Sequence, residues 1–234
     1  MNSFEQSNIH SVYLATEGEG IHIGRPQVFV RYQGCAVGCL NCDSKETWDF
    51  NLRNGLVDNV ELVKRIIKED RCNSKRVSIT GGDPLHSKND RSVYHLATLL
   101  KAQGFYINIE ASGQKVVEDI FSLIDFISFD LKTPSTGVKI PLSTLNKFLT
   151  SFSTKAQVKA VIADRADFDY LLDSYESLDN SEVPFVITPC YEPHESFDST
   201  LVQKIYEWNY NAGSPFRVIA QQHKWVFGTK SLNV

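Results

Sequence analysis

Short runs rich in β-branched and aromatic residues alternate along this chain with amphipathic stretches of helical period, and that alternation limits the fold more than any other feature. The runs at 27–33, 76–80, 105–110, 126–131, 157–162 and 184–188 are each short enough for a buried strand. Between them lie helical patterns. In 59–70, Val60, Val63, Ile66 and Ile67 share one face behind Asp58 as an N-cap. Similar stripes occur at 91–103 (Val93, Leu96, Leu99, Leu100), 116–124, 167–178 and 199–209. Strands alternating with helices imply parallel pairing and right-handed crossovers, hence an α/β barrel or an open α/β sheet. With 234 residues, 42% of them hydrophobic, the chain has enough apolar material for one core, and we expect a single domain over 1–234.

Composition excludes several roles. Lys and Arg (24) do not outnumber Asp and Glu (28), so the surface is not built to neutralise a phosphate backbone, and no nucleic-acid partner is expected. No apolar run approaches the roughly 20 residues that cross a bilayer, and the segment MNSFEQSNIH lacks the basic and apolar regions of a secretion signal. The expectation is a cytoplasmic protein with no membrane partner.

In α/β folds, functional residues gather where strands end. The unusual motifs obey that rule. Three cysteines follow the first of the six runs, Gly81-Gly82-Asp83-Pro84 follows the second, Glu110–Gly113 ends the third, and DLKTPSTG (130–137) ends the fourth. All can converge on one mouth. Cys35, Cys39 and Cys42 have the spacing C-x3-C-x2-C, which is not that of a disulfide framework. Three thiolates on a short loop suit three corners of a [4Fe-4S] cluster, leaving one iron open. Structural zinc normally takes four ligands, often from two C-x2-C pairs, and no second pair exists here. Cys72 and Cys190 read as ordinary thiols.

Three further residues carry two readings each on their own chemistry. Arg31, late in its strand, suits bidentate binding of a carboxylate or a structural ion pair. Ser44 looks like a helix N-cap, with Thr47 at the capping-box position. His223 alone is most simply a surface or core histidine.

The cysteine spacing resembles the signature of the radical S-adenosylmethionine superfamily, and Gly81-Gly82-Asp83-Pro84 resembles its G-G-E-P element, with Asp83 one methylene shorter than the usual Glu. The resemblance implies a partial (β/α)6 barrel with short or irregular helical connections. It also implies S-adenosylmethionine bound on the open iron and near Asn41, Cys42, Asp43, Gly81, Gly82, Asp83, Gly113, Asp130, Leu131 and Lys132.

Within the superfamily, the chain from about 11 to about 225, with a tail at 226–234, resembles the 7-carboxy-7-deazaguanine synthase family. TEGEGIHIGRPQVFVRYQGC (16–35) is similar to the family's Q-G-E-G turn followed by F-x-R-x-x-G-C, with Glu17 where Gln is common. Asp43-Ser44 stands where the family has Asp-Thr, Glu110–Gly113 resembles E-T-x-G with Ala111 in place of Thr, and QQHK (221–224) resembles a C-terminal Q-x-H-K stretch. DLKTPSTG resembles the D-x-K-x-P form of an element that elsewhere is S-P-K, and QVKAVIADRADFD (157–169) fits a K-x-V-I strand followed by acidic residues.

By that resemblance Arg31 and Glu19 carry catalytic roles. Thr16, Glu17, Gly18, Arg31, Ala111 and His223 bind a pterin, and Ser44 ligates Mg2+. The implied reaction converts 6-carboxy-5,6,7,8-tetrahydropterin to 7-carboxy-7-deazaguanine. A 5'-deoxyadenosyl radical removes hydrogen from C6, the ring contracts, ammonia leaves and S-adenosylmethionine is regenerated. A flavodoxin or ferredoxin as reductant and a homodimer complete what it implies; Trp208 and Trp225 suit an interface or, equally, the core. The rival is a glycyl-radical-enzyme activating protein, which would take a partner protein as substrate.

Overall fold

The computed structural model describes residues 5–52, 55–178, 182–191, 199–228 and 231. Its centre is one sheet of nine strands, β1 (Gln6–Thr16), β2 (Pro26–Tyr32), β3 (Leu56–Asp58), β4 (Arg76–Gly81), β5 (Tyr106–Ala111), β6 (Phe126–Asp130), β7 (Ala156–Ile162), β8 (Phe185–Pro189) and β9 (Arg217–Val218), in the order β3-β1-β2-β4-β5-β6-β7-β8-β9. From β2 through β9 every neighbouring pair is parallel. The six strands read from the sequence are therefore the six-strand body of the partial barrel. The connections carry α1 (Asn59–Glu69), α2 (Asp90–Ala102), α3 (Glu118–Leu123), α4 (Leu142–Phe152), α5 (Arg165–Glu176), α6 (Ser199–Asn211) and α7 (Gln222–Phe227).

Side chains alternate across these strands, and the two faces differ in kind. One face carries Val28, Val30, Val77, Ile79, Ile107, Ile109, Ile127, Phe129, Val158 and Ala160, all buried in a single core cluster with Leu96 and Leu100 of α2, Phe148 of α4 and Phe168 of α5. The other carries Ser78, Asn108, Ser128 and Gln157, buried but polar. These polar side chains bond to one another across the strands: Asn108 Nδ2 donates to Ser78 Oγ at 2.8 Å, and Gln157 Nε2 donates to Ser128 Oγ at 2.9 Å, while Asn108 Oδ1 is left buried without a partner among the described residues. The apolar face makes the core, and the polar face is the floor of the barrel interior.

Two readings of the sequence change. The chain's first strand is β1, antiparallel to β2, so the cysteines follow the second strand. Its alternation is hidden because the register slips between Ile9 and Ser11, a bulge that moves the buried positions from odd to even residues. In α1 the buried stripe is Asn59, Leu62, Val63 and Ile66, whereas Val60 and Ile67 face solvent. Asp58 does cap that helix, accepting from Val60 N at 2.8 Å and Glu61 N at 3.3 Å. Trp208 packs against the core, while Trp225 is exposed. Residues 229, 230 and 232–234 of the expected tail lie outside the described residues. Among the described residues no helix is long and apolar enough to cross a membrane.

Candidate active site

A cleft of about 310 Å3 opens over the polar floor, at the C-terminal ends of the parallel strands. Five of the parallel strands deliver residues there: Arg31 from β2, Thr80 and Gly81 from β4, Glu110 from β5, Asp130 from β6, Lys159 and Val161 from β7. The cysteine loop, the turn after β1 and the start of α7 complete the lining with Cys35, Cys39, Cys42, Glu17, Glu19, Gln221 and His223.

Lys159 organises the charges. Its Nζ lies 2.6 Å from Glu19 Oε2 and 3.6 Å from Glu110 Oε2, and Glu19 also accepts from the Gln221 amide. Burial opposes a charge on Glu19, but Lys159 and Gln221 bring its carboxyl down to about 2. Burial likewise opposes the ammonium of Lys159, yet Glu19, Glu110 and Asp130 hold it well above the usual lysine range. Glu17, two residues from Glu19, has different partners. Its carboxyl accepts from Gln27 Nε2 at 2.6 Å and from the Glu19 backbone N–H at 3.2 Å, and burial, with Glu110 and Glu19 nearby, pushes it up to about 8.

Arg31 reaches Ser44 Oγ from Nη1 at 3.1 Å and Tyr13 Oη from Nη2 at 3.3 Å. It is in none of the ion pairs among the described residues, so its charge is available to a bound anion. Ser44 does not cap the short 3-10 turn Lys45–Thr47; its hydroxyl donates to Asp43 Oδ1 at 2.8 Å. At the opposite wall Lys132 pairs with Asp130, which is two residues away.

The cysteine loop suits a cluster. All three thiols line the cleft, and two of the sulfurs receive N–H groups: Val37 N at 3.4 Å on Cys35 Sγ, and both Ser44 N and Trp48 Nε1 at 3.4 Å on Cys42 Sγ. Such donors stabilise cluster-bound sulfur and tune its potential. Burial pushes the thiols of Cys35 and Cys39 up, so a cationic centre is what would hold them as thiolates. Among the described residues no three His, Cys, Asp or Glu side chains converge closely enough to hold a single metal ion. Cluster thiolates bind separate irons and need no such convergence.

Of the residues singled out in the sequence, Thr16, Glu17, Gly18, Glu19, Arg31, Cys35, Cys39, Asn41, Cys42, Asp43, Ser44, Gly81, Gly82, Ala111, Asp130, Leu131, Lys132 and His223 line this one cleft. Asp83 and Gly113 do not. Asp83 is buried and accepts from Leu85 N at 3.2 Å and Ser112 Oγ at 3.4 Å, and Gly113 packs on the Asp130 carbonyl. Gly81, at φ +137°, is required by the fold itself, because a Cβ there would strike the Tyr32 backbone. His223 covers Gly18, and Gln222 N donates to Gly18 O at 2.9 Å, so α7 closes onto the turn. Lys159, Gln221, Tyr13 and Glu110 are among the lining residues that the sequence left unassigned. Cys190 lines the cleft too, with Asn41 Nδ2 at 3.8 Å from its sulfur.

The chain is similar to curated proteins along most of its length. A 7-carboxy-7-deazaguanine synthase of Bacillus cereus is 28% identical over 92% of this chain and 93% of its own length, and one of Pyrobaculum aerophilum is 34% identical over 72% of each chain. The chain belongs to the 7-carboxy-7-deazaguanine synthase family. A family model described as a 4Fe-4S single cluster domain matches residues 16–125, the span from the Glu17 turn through the cysteine loop and β5. The fold of this 7-carboxy-7-deazaguanine synthase family member is that of QueE from Escherichia coli, whose crystal structure superposes with a TM-score of 0.70 at 22% identity, covering 93% of this chain and 95% of that one.

Proposed function

We propose that the chain, as one domain, catalyses conversion of 6-carboxy-5,6,7,8-tetrahydropterin to 7-carboxy-7-deazaguanine with loss of ammonia. The observation that carries this reading is one cleft in which three thiols face a guanidinium that forms no ion pair among the described residues. Cys35, Cys39 and Cys42 would hold a [4Fe-4S] cluster, which with S-adenosylmethionine would supply a 5'-deoxyadenosyl radical. The chain's own residues do the rest. Arg31 holds the substrate carboxylate, and the turn Glu17–Glu19 meets the heterocycle from across the cleft. Asn41, Asp43, Gly81, Gly82, Asp130, Leu131 and Lys132 shape the pocket for S-adenosylmethionine. Asp83 supports that pocket from behind, through its contacts to Leu85 and Ser112. His223 and the start of α7 cover the turn and exclude water.

Ser44 is our candidate Mg2+ ligand, since its hydroxyl sits between the Arg31 guanidinium and the Asp43 carboxylate and is a hard oxygen donor of the kind Mg2+ takes. A flavodoxin- or ferredoxin-type reductant and a cytoplasmic homodimer complete the proposal.

Anaerobic reconstitution followed by incubation with dithionite, S-adenosylmethionine, Mg2+ and the carboxypterin tests it. Consumption of the pterin with appearance of the deazaguanine by absorbance and mass is expected. No turnover of the pterin, together with radical transfer to a partner protein, would assign the chain to the activating enzymes instead.

A further inference from the structure

Three carboxyl groups meet in the cleft, Glu17 and Glu19 from the turn after β1 and Glu110 from β5, and Lys159 is the ammonium among them. Lys159 is also the residue whose part in the site neither the sequence motifs nor the relatives specify. It lies in the middle of β7, opposite Asp130 of β6, with its side chain 14% exposed. Its contacts are unequal. It bonds Glu19 at 2.6 Å and stands 3.6 Å from Glu110, whereas Glu17 is met by a neutral amide and a backbone N–H.

We infer that Lys159 is a positioning residue that divides the two carboxyl groups of the substrate-facing turn, keeping Glu19 an ionised hydrogen-bond acceptor and leaving Glu17 a neutral carboxylic acid that donates to the bound heterocycle. The inference rests on the function proposed above. A heterocycle edge of the pterin kind carries donors and acceptors side by side, so one donor and one acceptor on neighbouring residues match it, whereas two carboxylates would present acceptors only. A second anion would also repel the ligand's own carboxylate. Glu17 thereby does with a proton what an amide at that position does without one. Two carboxyl groups with separated titrations are the usual mark of divided acid and base roles.

The surroundings support the division. The charged groups around Glu17 are Glu110, Glu19 and Lys159, two anions and one cation, and burial adds to their effect. Glu19 faces Lys159, the Gln221 amide and His223 of α7. Lys159 faces Glu19, Glu110 and Asp130, with Lys132 beside Asp130 as a further cation at that wall.

The test is calorimetric titration of carboxypterin into the reconstituted enzyme with S-adenosylmethionine and no reductant, from pH 6 to 9, paired with infrared difference spectra of the ligand-free protein. For the wild type, affinity should fall above about pH 8, approaching tenfold per pH unit, because binding then requires a proton that Glu17 is losing. Glu17→Gln should remove that slope and abolish a protonated-carboxyl band seen in the wild type at pH 7. Lys159→Met should lower affinity at pH 7 at least tenfold, and Lys159→Arg should restore it to within threefold. A wild-type slope in Glu17→Gln, no carboxyl band in the wild type, or wild-type affinity in Lys159→Met would each overturn the inference. If the band is present and the wild type binds no carboxypterin at any pH, the proposed function fails instead.

Discussion

At the scale of single residues, the cleft depends on side chains whose charge is kept available. Arg31 is held by a phenol and a hydroxyl, both neutral groups that orient a guanidinium without cancelling it. Charge-assisted hydrogen bonds contribute about 1.5–3 kcal/mol each. Arg31→Gln should therefore raise KM for the carboxypterin roughly ten- to a hundredfold, by the same constant, while leaving uncoupled cleavage of S-adenosylmethionine in place. Arg31→Lys should recover little, because a point charge lacks the fork. At Ser44, removal of the hydroxyl in Ser44→Ala should raise the Mg2+ concentration needed for half-maximal turnover, and Ser44→Thr should leave it near the wild-type value. The cysteines and Arg31 were legible in the sequence because their chemistry lies in a short motif. Lys159 was not, since its role is set by Glu19, which is 140 positions away along the chain.

At the scale of elements, the sequence revealed those with an unbroken period and concealed the rest. Six of the seven parallel strands stand within one or two residues of the apolar runs. β1 escaped because its bulge breaks the alternation, and β3 and β9 because three and two residues carry no period. α7 buries none of its side chains, so no stripe marks it. α4 does have a stripe, Leu145, Phe148, Leu149 and Phe152, but it begins after Pro141 with no side-chain cap to announce it. Caps that were legible carry stability. Asp58→Ala should destabilise the fold by about 1 kcal/mol in denaturant unfolding, because two N–H groups of α1 lose their acceptor.

At the scale of the whole molecule, the turn after β1 joins the two ends of the barrel. Glu17 and Glu19 line the cleft, the Ile21 N–H donates to Gln157 Oε1 at 2.8 Å in the floor, and His22 lies against Phe126 and Tyr106, where β6 and β5 begin. Burial first, then Arg25 and Arg76, lowers the His22 imidazole from 6.5 to about 4. The native state thus keeps His22 neutral where the unfolded chain binds a proton. Stability should rise with pH between about 4 and 6.5 and be lost as pH falls through that window. Thermal melts at pH 7 and pH 5 should show this, with a smaller difference in His22→Phe. Both ends of the turn serve one claim, that the cleft holds a carboxypterin against a radical source. Deuterium placed at C6 of the carboxypterin tests it most directly under anaerobic turnover. The account predicts 7-carboxy-7-deazaguanine as product and deuterium in the recovered S-adenosylmethionine; recovered S-adenosylmethionine free of deuterium, with the pterin unchanged, would contradict it.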